Sequence, residues 1–337
     1  MRNRRVLFAG AFFLVLTFCA TLAASATDEV ATFPEGYTQD RYLKDKEKAE
    51  DGDARAQFIM GYLHHRQVVP FVTPDIPTAF SWYQKSALQG HIQASQILGA
   101  MYQKGEGADV DLQAAKRYFQ YAADRGMPEA ACALGLLYTE GQGVPRDDEL
   151  AVFWLKRADK QNFSPAAMTL GVMCAGGRGV AKDMTVAFAW FVRSAELGNA
   201  EGMYQVAGMY RTGNGVAQDI GISIRWLEEA LKVTSRISMR AINDLAWTLA
   251  TCPDERYRDS KRAMELGGLL LDALSQRTPS HLDTVAAVYA VNGLFKQAID
   301  IQEEAIQALA VSGEANLEAP LRERLELYKQ GKIWIDP

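Results

Sequence analysis

Residues 93–127 read QASQILGAMYQKGEGADVDLQAAKRYFQYAADRGM, and the chain repeats this stretch with a 36-residue step. Ala94, Ala130 and Ala166 fall in one column, and Leu98, Leu134, Leu170 and Val206 in another. Gly99, Gly135, Gly171 and Ala207 follow directly. Tyr102, Tyr138 and Tyr210 share a column in which Cys174 takes the remaining place. Gly105, Gly141, Gly177 and Gly213 form the next, then Gly107, Gly143, Gly179 and Gly215. Ala115, Ala151, Ala187 and Ser223 come after, then Tyr118, Trp154, Trp190 and Trp226. A fixed period of this kind marks a repeat array. One unit buries too little surface to stand alone and must stack on its neighbours.

Each unit reads as two helices. Ala94, Leu98 and Tyr102 stand four apart and share one face. The Gly-x-Gly pair ends that helix, since glycine reaches the positive φ a reversal needs. Ala115, Tyr118 and Ala122 make the stripe of the second helix, which stops at Gly126, Asn162 and Gly198 in successive units. Gly and Asn are the residues that tolerate a left-handed cap. Gly99, Gly135 and Gly171 lie mid-helix, where glycine costs about 1 kcal/mol against Ala. A cost repeated in each unit points to close helix–helix approach, with the Tyr or Trp of the second helix packed over the notch. The expected fold is all-α, a right-handed superhelical solenoid of stacked antiparallel helix pairs.

An earlier, partial unit runs through Ala54, Phe58 and Tyr62, then Ala79, Trp82, Ser86 and Gly90. Its connecting loop carries four extra residues around Val69-Pro70-Phe71-Val72-Thr73-Pro74 and reads either as a binding lip or as a capping insertion. The order Ala-x-x-x-Leu-Gly-x-x-Tyr-x-x-Gly-x-Gly-Val-x-x-Asp, then Ala-x-x-Trp and a closing Gly, resembles the Sel1-like repeat. Residues 130–162 carry it nearly complete, with Val144 and Asp147. Five such units cover roughly residues 52–234, departing from the pattern at Cys174 and Thr234; residues 27–51 form a lead-in. Residues 238–331 keep paired helices without the Gly-x-Gly and resemble degenerate tetratricopeptide repeats. Leu245, Ala246 and Leu249 mark one such unit, and Ala286, Tyr289, Ala298 and Ala305 another. Cys252-Pro253-Asp254 makes a longer turn, and Leu321 to Tyr328 is a charged amphipathic capping helix.

The chain has 337 residues, 48% of them hydrophobic and 23% charged, a balance that excludes a wholly disordered chain and a polytopic membrane protein. Arg2, Arg4 and Arg5 precede an uncharged run from Val6 to Ala26 that closes on Ala24-Ser25-Ala26. That order is the one of a secretory signal peptide over residues 1–26, with Thr27 as the exported N-terminus and a periplasmic location. Two readings compete with it: an uncleaved anchor, and a lipoprotein box at Leu16-Thr17-Phe18-Cys19, which bulky Phe18 makes poor. Beyond residue 26 the chain holds 33 basic and 41 acidic side chains, a net of −8. Such a balance argues against nonspecific binding to nucleic acid or anionic lipid, and suits one specific protein partner that is neutral or basic; no membrane insertion is expected after signal cleavage. Cys132, Cys174 and Cys252 remain, an odd and scattered set that reads as buried thiols.

Signals for chemistry are sparse. The Gly-x-Gly pairs follow a helix and lack a third glycine, so they are turns and not a dinucleotide fingerprint. His64 and His65 are neighbours on a helix and diverge by about 100°, a poor pair for one metal. No cofactor, metal or catalytic residue is expected. Some cysteine-rich members of the repeat family bind or cleave β-lactams, but the paired cysteines that would carry this over are absent here. The alternative to chemistry is surface: in stacked helix pairs the first helices line a concave face. Projection of those helices selects Gln96, Gln103, Leu136, Thr139, Met168, Val172, Tyr204, Arg211, Asn243 and Trp247 as partner-binding residues. Tyr, Arg and Trp dominate binding hot spots; the competing reading has Tyr204 and Trp247 merely packing between repeats. The resemblance implies a non-catalytic protein-binding solenoid. Within that class stand an immunity-protein-like antagonist of a secreted lipase effector and an envelope assembly or signalling scaffold. A small-molecule binder or hydrolase is the reading from another class.

Overall fold

The computed structural model describes residues 37–233, 239–272, 278–312 and 315–336. The signal segment, Cys19, Thr27 and Thr234 lie outside the described residues. Regular structure among the described residues is helical throughout, and the chain divides into two compact units, residues 1–197 and 198–337. The first unit holds α1 (Gln39–Glu50), α2 (Ala54–His65), α3 (Ile76–Leu88), α4 (Ile92–Lys104), α5 (Leu112–Asp124), α6 (Pro128–Glu140), α7 (Asp148–Asp159), α8 (Ser164–Gly176) and α9 (Met184–Glu196). The second holds α10 (Ala200–Thr212), α11 (Ile220–Val233), α12 (Met239–Thr251), α13 (Ser260–Asp272), α14 (Pro279–Val291), α15 (Phe295–Ser312) and α16 (Glu318–Lys329). Within each unit every helix packs on the next, so that antiparallel pairs α2/α3 to α8/α9, and α10/α11 to α14/α15, stack one on another. This is the all-α solenoid packing that the period demands.

The repeated aspartate supplies the start of each second helix. Asp111, Asp147, Asp183 and Asp219 accept hydrogen bonds from the backbone N–H of Ala114, Leu150, Val186 and Ile222 at 2.8, 2.9, 3.1 and 2.8 Å. Each satisfies a donor that the first helical turn leaves without a partner. The ends are as regular. Gly126 and Gly198 have φ of 92° and 82°, and Asn162 at 60° is the one non-glycine residue with positive φ among the described residues. The Gly-to-Asn exchange thus keeps the left-handed cap.

The mid-helix glycines are notches, but the expected lids are wrong by one residue. A Cβ at Gly99, Gly135 or Gly171 would stand 2.8, 2.7 or 2.5 Å from Phe119, Leu155 or Phe191, and at Gly61 2.6 Å from Tyr83. Tyr118, Trp154 and Trp190 come one position earlier. A single helical step turns a side chain by about 100°, which carries these aromatics off the notch. Tyr118 instead stacks on Tyr102 with ring centroids 5.8 Å apart. The second glycine of the turn pair serves the stacking between pairs, with Gly107 against Phe80 and Gly143 against Leu112.

The insertion between α2 and α3 turns Val69 and Val72 inward and leaves Val68 and Phe71 exposed. Val69 and Val72 are buried with Ala49 of α1 and Ala56, Met60 and Leu63 of α2, while Phe71 meets Tyr42 edge-on at 6.0 Å. It is the capping arrangement, completed by the charged helix α1, which falls within the lead-in of residues 27–51. At the far end Leu321, Leu325 and Tyr328 are the apolar face of α16. Cys132, Cys174 and Cys252 are buried and outside any disulfide. No helix among the described residues is long and apolar enough to cross a membrane.

Candidate functional site

The first-unit residues singled out from the sequence lie mostly inside. α6 is buried from Ala130 to Thr139 and α8 from Pro165 to Ala175, so both are apolar on all sides and covered on all sides. Leu136, Met168 and Val172 are therefore core residues here. Thr139 is buried too; its hydroxyl donates to the Gly135 carbonyl at 2.7 Å and its own carbonyl accepts from Arg178 at 2.6 Å. Gln96 is buried with its amide nitrogen unpartnered, and Gln103, half-exposed, donates weakly to Gln142 at 3.4 Å. Elsewhere in this unit a cavity of about 370 Å3 lies between α2, α3 and α4, lined among others by Tyr62, Tyr83, Ile97 and Met101, with His65 and Lys104. Burial and the neighbouring Arg66 cation lower the His65 pKa, which leaves a neutral imidazole 3.8 Å from Glu106.

The second unit brings Tyr204, Arg211, Asn243 and Trp247 together on α10 and α12, and joins to them residues that the projection missed. Tyr204 donates its hydroxyl to Asp244 at 3.0 Å, and Arg211 reaches the same carboxylate oxygen at 3.4 Å. Arg240 lies over the Tyr204 ring, 5.0 Å from its centroid, while it pairs with Glu201 at 3.1 Å. Burial, then the Asp244 charge, pushes the Tyr204 phenol far up, so that it stays a neutral donor. The side-chain oxygen of Asn243 is buried with no hydrogen-bond partner.

One helical turn further, the Trp247 indole donates to Asp336 at 2.7 Å. The Arg324 guanidinium sits between two indoles, 5.2 Å from the Trp247 ring and 5.3 Å from the Trp334 ring. It also forks onto Asp283 at 2.8 and 2.7 Å. The face is thus a run of aromatic rings, each backed by an arginine that a carboxylate orients. Such side chains arrive pre-positioned and lose little rotamer freedom when a partner docks. Asp244 was within reach of the sequence argument, one residue from Asn243. Arg324, Trp334 and Asp336 were not, because they reach α12 from far along the chain.

Comparisons with known proteins agree with this architecture. The sequence profile of the Sel1 repeat matches residues 54–91, 93–127, 128–162, 164–199 and 200–232, more than half of the chain. A comparison with curated protein sequences gives no match. Among solved structures, a Sel1 repeat protein from Oxalobacter formigenes superposes with a TM-score of 0.59 at 26% identity, covering 66% of this chain and 89% of that one. The protein c5321, a protective antigen present in uropathogenic Escherichia coli strains and displaying an SLR fold, gives 0.59 at 26% identity over 86% of this chain and 68% of its own. The immunity protein PA5088 from Pseudomonas aeruginosa gives 0.44 at 20% identity, over 67% and 84%. A likeness at that last level carries no argument about function.

Proposed function

Since the chain belongs to the Sel1 repeat family, a protein-interaction solenoid, we propose that it is a non-catalytic, periplasmic protein that sequesters and inhibits one specific partner protein. The observation that carries this reading is the second-unit face: Tyr204, Arg211 and Trp247 are partly buried, the two rings packed on the core beneath them, and each is held by a carboxylate. Aromatic and arginine side chains presented in this way are the composition of binding hot spots. The net charge of −8 beyond residue 26 favours a neutral or basic partner and speeds its encounter. Occlusion asks for nothing beyond such a face, whereas a scaffold needs a second one. The small-molecule reading keeps one observation of its own, the first-unit cavity beside His65 and Lys104.

The double variant Tyr204→Ala with Trp247→Ala is expected to weaken partner binding by about 4 kcal/mol, near a thousandfold, at about 2 kcal/mol for each anchor. Circular dichroism should retain the helical signal. Unchanged affinity in a helical double variant would remove the face from the account.

A further inference from the structure

The hot-spot face is not bare: part of it is covered by the chain itself. Gly331, at φ 68°, turns the main chain after α16, and Lys332 N–H closes the turn on the Leu327 carbonyl at 3.0 Å. The segment then runs without regular structure across α12, where Asp336 N–H donates to the Thr251 carbonyl at 2.9 Å. The Asp336 carboxylate collects two indole N–H groups, from Trp247 at 2.7 Å and from Trp334 at 3.2 Å. The Trp334 ring lies on the small apolar cluster of Ala286, Ala290, Ala298 and Tyr328, with Arg324 over its face.

This seat has the parts of a peptide-recognition site. It has an apolar shelf for one aromatic ring, a guanidinium that stacks on it, an indole donor for a carboxylate two residues on, and a carbonyl for one main-chain N–H. The hold is mostly by side chains, and the segment stays half-buried, with Ile333 exposed. A strap without a ladder of main-chain hydrogen bonds belongs to the parts of a fold that open at low cost. Asp283, paired with Arg324 and already pushed up by burial, is pushed up further by the Asp336 charge. The closed seat therefore carries a repulsion between two carboxylates that opening relieves.

We propose that this seat is a binding site for an extended segment of the partner carrying an aromatic residue two positions before a carboxylate, and that residues Lys332–Asp336 hold the site closed until that segment displaces them. The proposal rests on the second-unit face being the partner-binding one. It names the chemistry recognised there and the device that guards it.

A fluorescent peptide of sequence GKIWID, the chain's own residues 331–336, is the probe, read by anisotropy against the intact chain and against its Trp334→Ala, Asp336→Ala variant. A seat closed about 99% of the time lowers apparent affinity about a hundredfold. The variant should therefore bind the peptide about 10- to 100-fold more tightly than the intact chain, and the peptide carrying D336N should lose that gain. Equal or absent binding by a variant of native helicity would overturn the proposal. Should the variant fail to fold, amide exchange of the intact chain decides: the Asp336 amide should exchange much faster than that of Leu249 inside α12, and equal protection would overturn displacement. A concentration-dependent dimer that D336N dissolves would make a second copy the occupant and also overturn it. Peptide binding uses purified components alone, so its failure leaves the protein-binding reading standing, and a missing cellular partner leaves the seat standing.

Discussion

Replacing Arg324 by methionine should destabilise the second unit by about 3–5 kcal/mol, the largest loss expected from a single substitution here. Its side chain and that of Asp283 are 9% and 11% exposed and face each other at 2.7 Å. Removing the cation leaves a buried carboxylate paired only by the Gln302 amide at 2.9 Å. The sign with pH follows from burial, the main cause of the raised Asp283 pKa, against which Arg324 and Gln302 pull down. A carboxyl whose folded pKa is raised contributes most below its ordinary value and loses that contribution as pH rises through the folded pKa. Without Arg324 the rise is larger, so the destabilisation should be greatest at neutral pH and shrink toward pH 4. Urea denaturation followed by tryptophan fluorescence across that range measures both. The pair Arg324→Met, Asp283→Leu should recover most of the loss, because no charge is then left buried. A loss independent of pH would show that the ion pair is not what is being measured.

The second prediction sets two glycines against each other. Gly171→Ala should cost about 1–3 kcal/mol by overpacking, since the new methyl meets the Phe191 ring at 2.5 Å in a helix with no exposed face. Gly208→Ala, in α10 with nothing within 4 Å of the new Cβ, should stabilise by about 0.5–1 kcal/mol through helix propensity and a less flexible unfolded chain. Both replace a helical glycine, and thermal unfolding should move in opposite directions. Loss at both positions would reduce the notch to an ordinary glycine effect.

The fold was legible because the repeat writes each constraint several times. The Leu-Gly step, the Gly-x-Gly turn and the Gly126/Asn162/Gly198 caps each have a local physical cause, so period and composition suffice to place them. What failed was rotation about the helix axis. Tyr118 and Phe119 are neighbours in sequence and both aromatic, and only the packed structure shows that Phe119 covers Gly99 while Tyr118 stacks on Tyr102. The same uncertainty affects the site. Projection of the first helices chose Leu136, Met168 and Val172, which pack into the first unit; α6 and α8 are apolar all round, the mark of an enclosed helix, and a projection that treats one face of every first helix as open passes over it. Tyr204, Arg211 and Trp247 were reachable as hot-spot types. Their partners Arg324, Trp334 and Asp336 fall outside the repeat period, and no local rule brings them to α12.

Whether the Tyr204–Trp247 face takes hold of one dedicated protein is decided by cross-linking inside cells. A photo-cross-linking amino acid is placed at Arg211 on that face and, in a second strain, at Leu269, exposed on α13. A single protein adduct is expected from position 211 and none from 269. No adduct from 211, or the same adducts from both positions, would contradict a dedicated partner on this face.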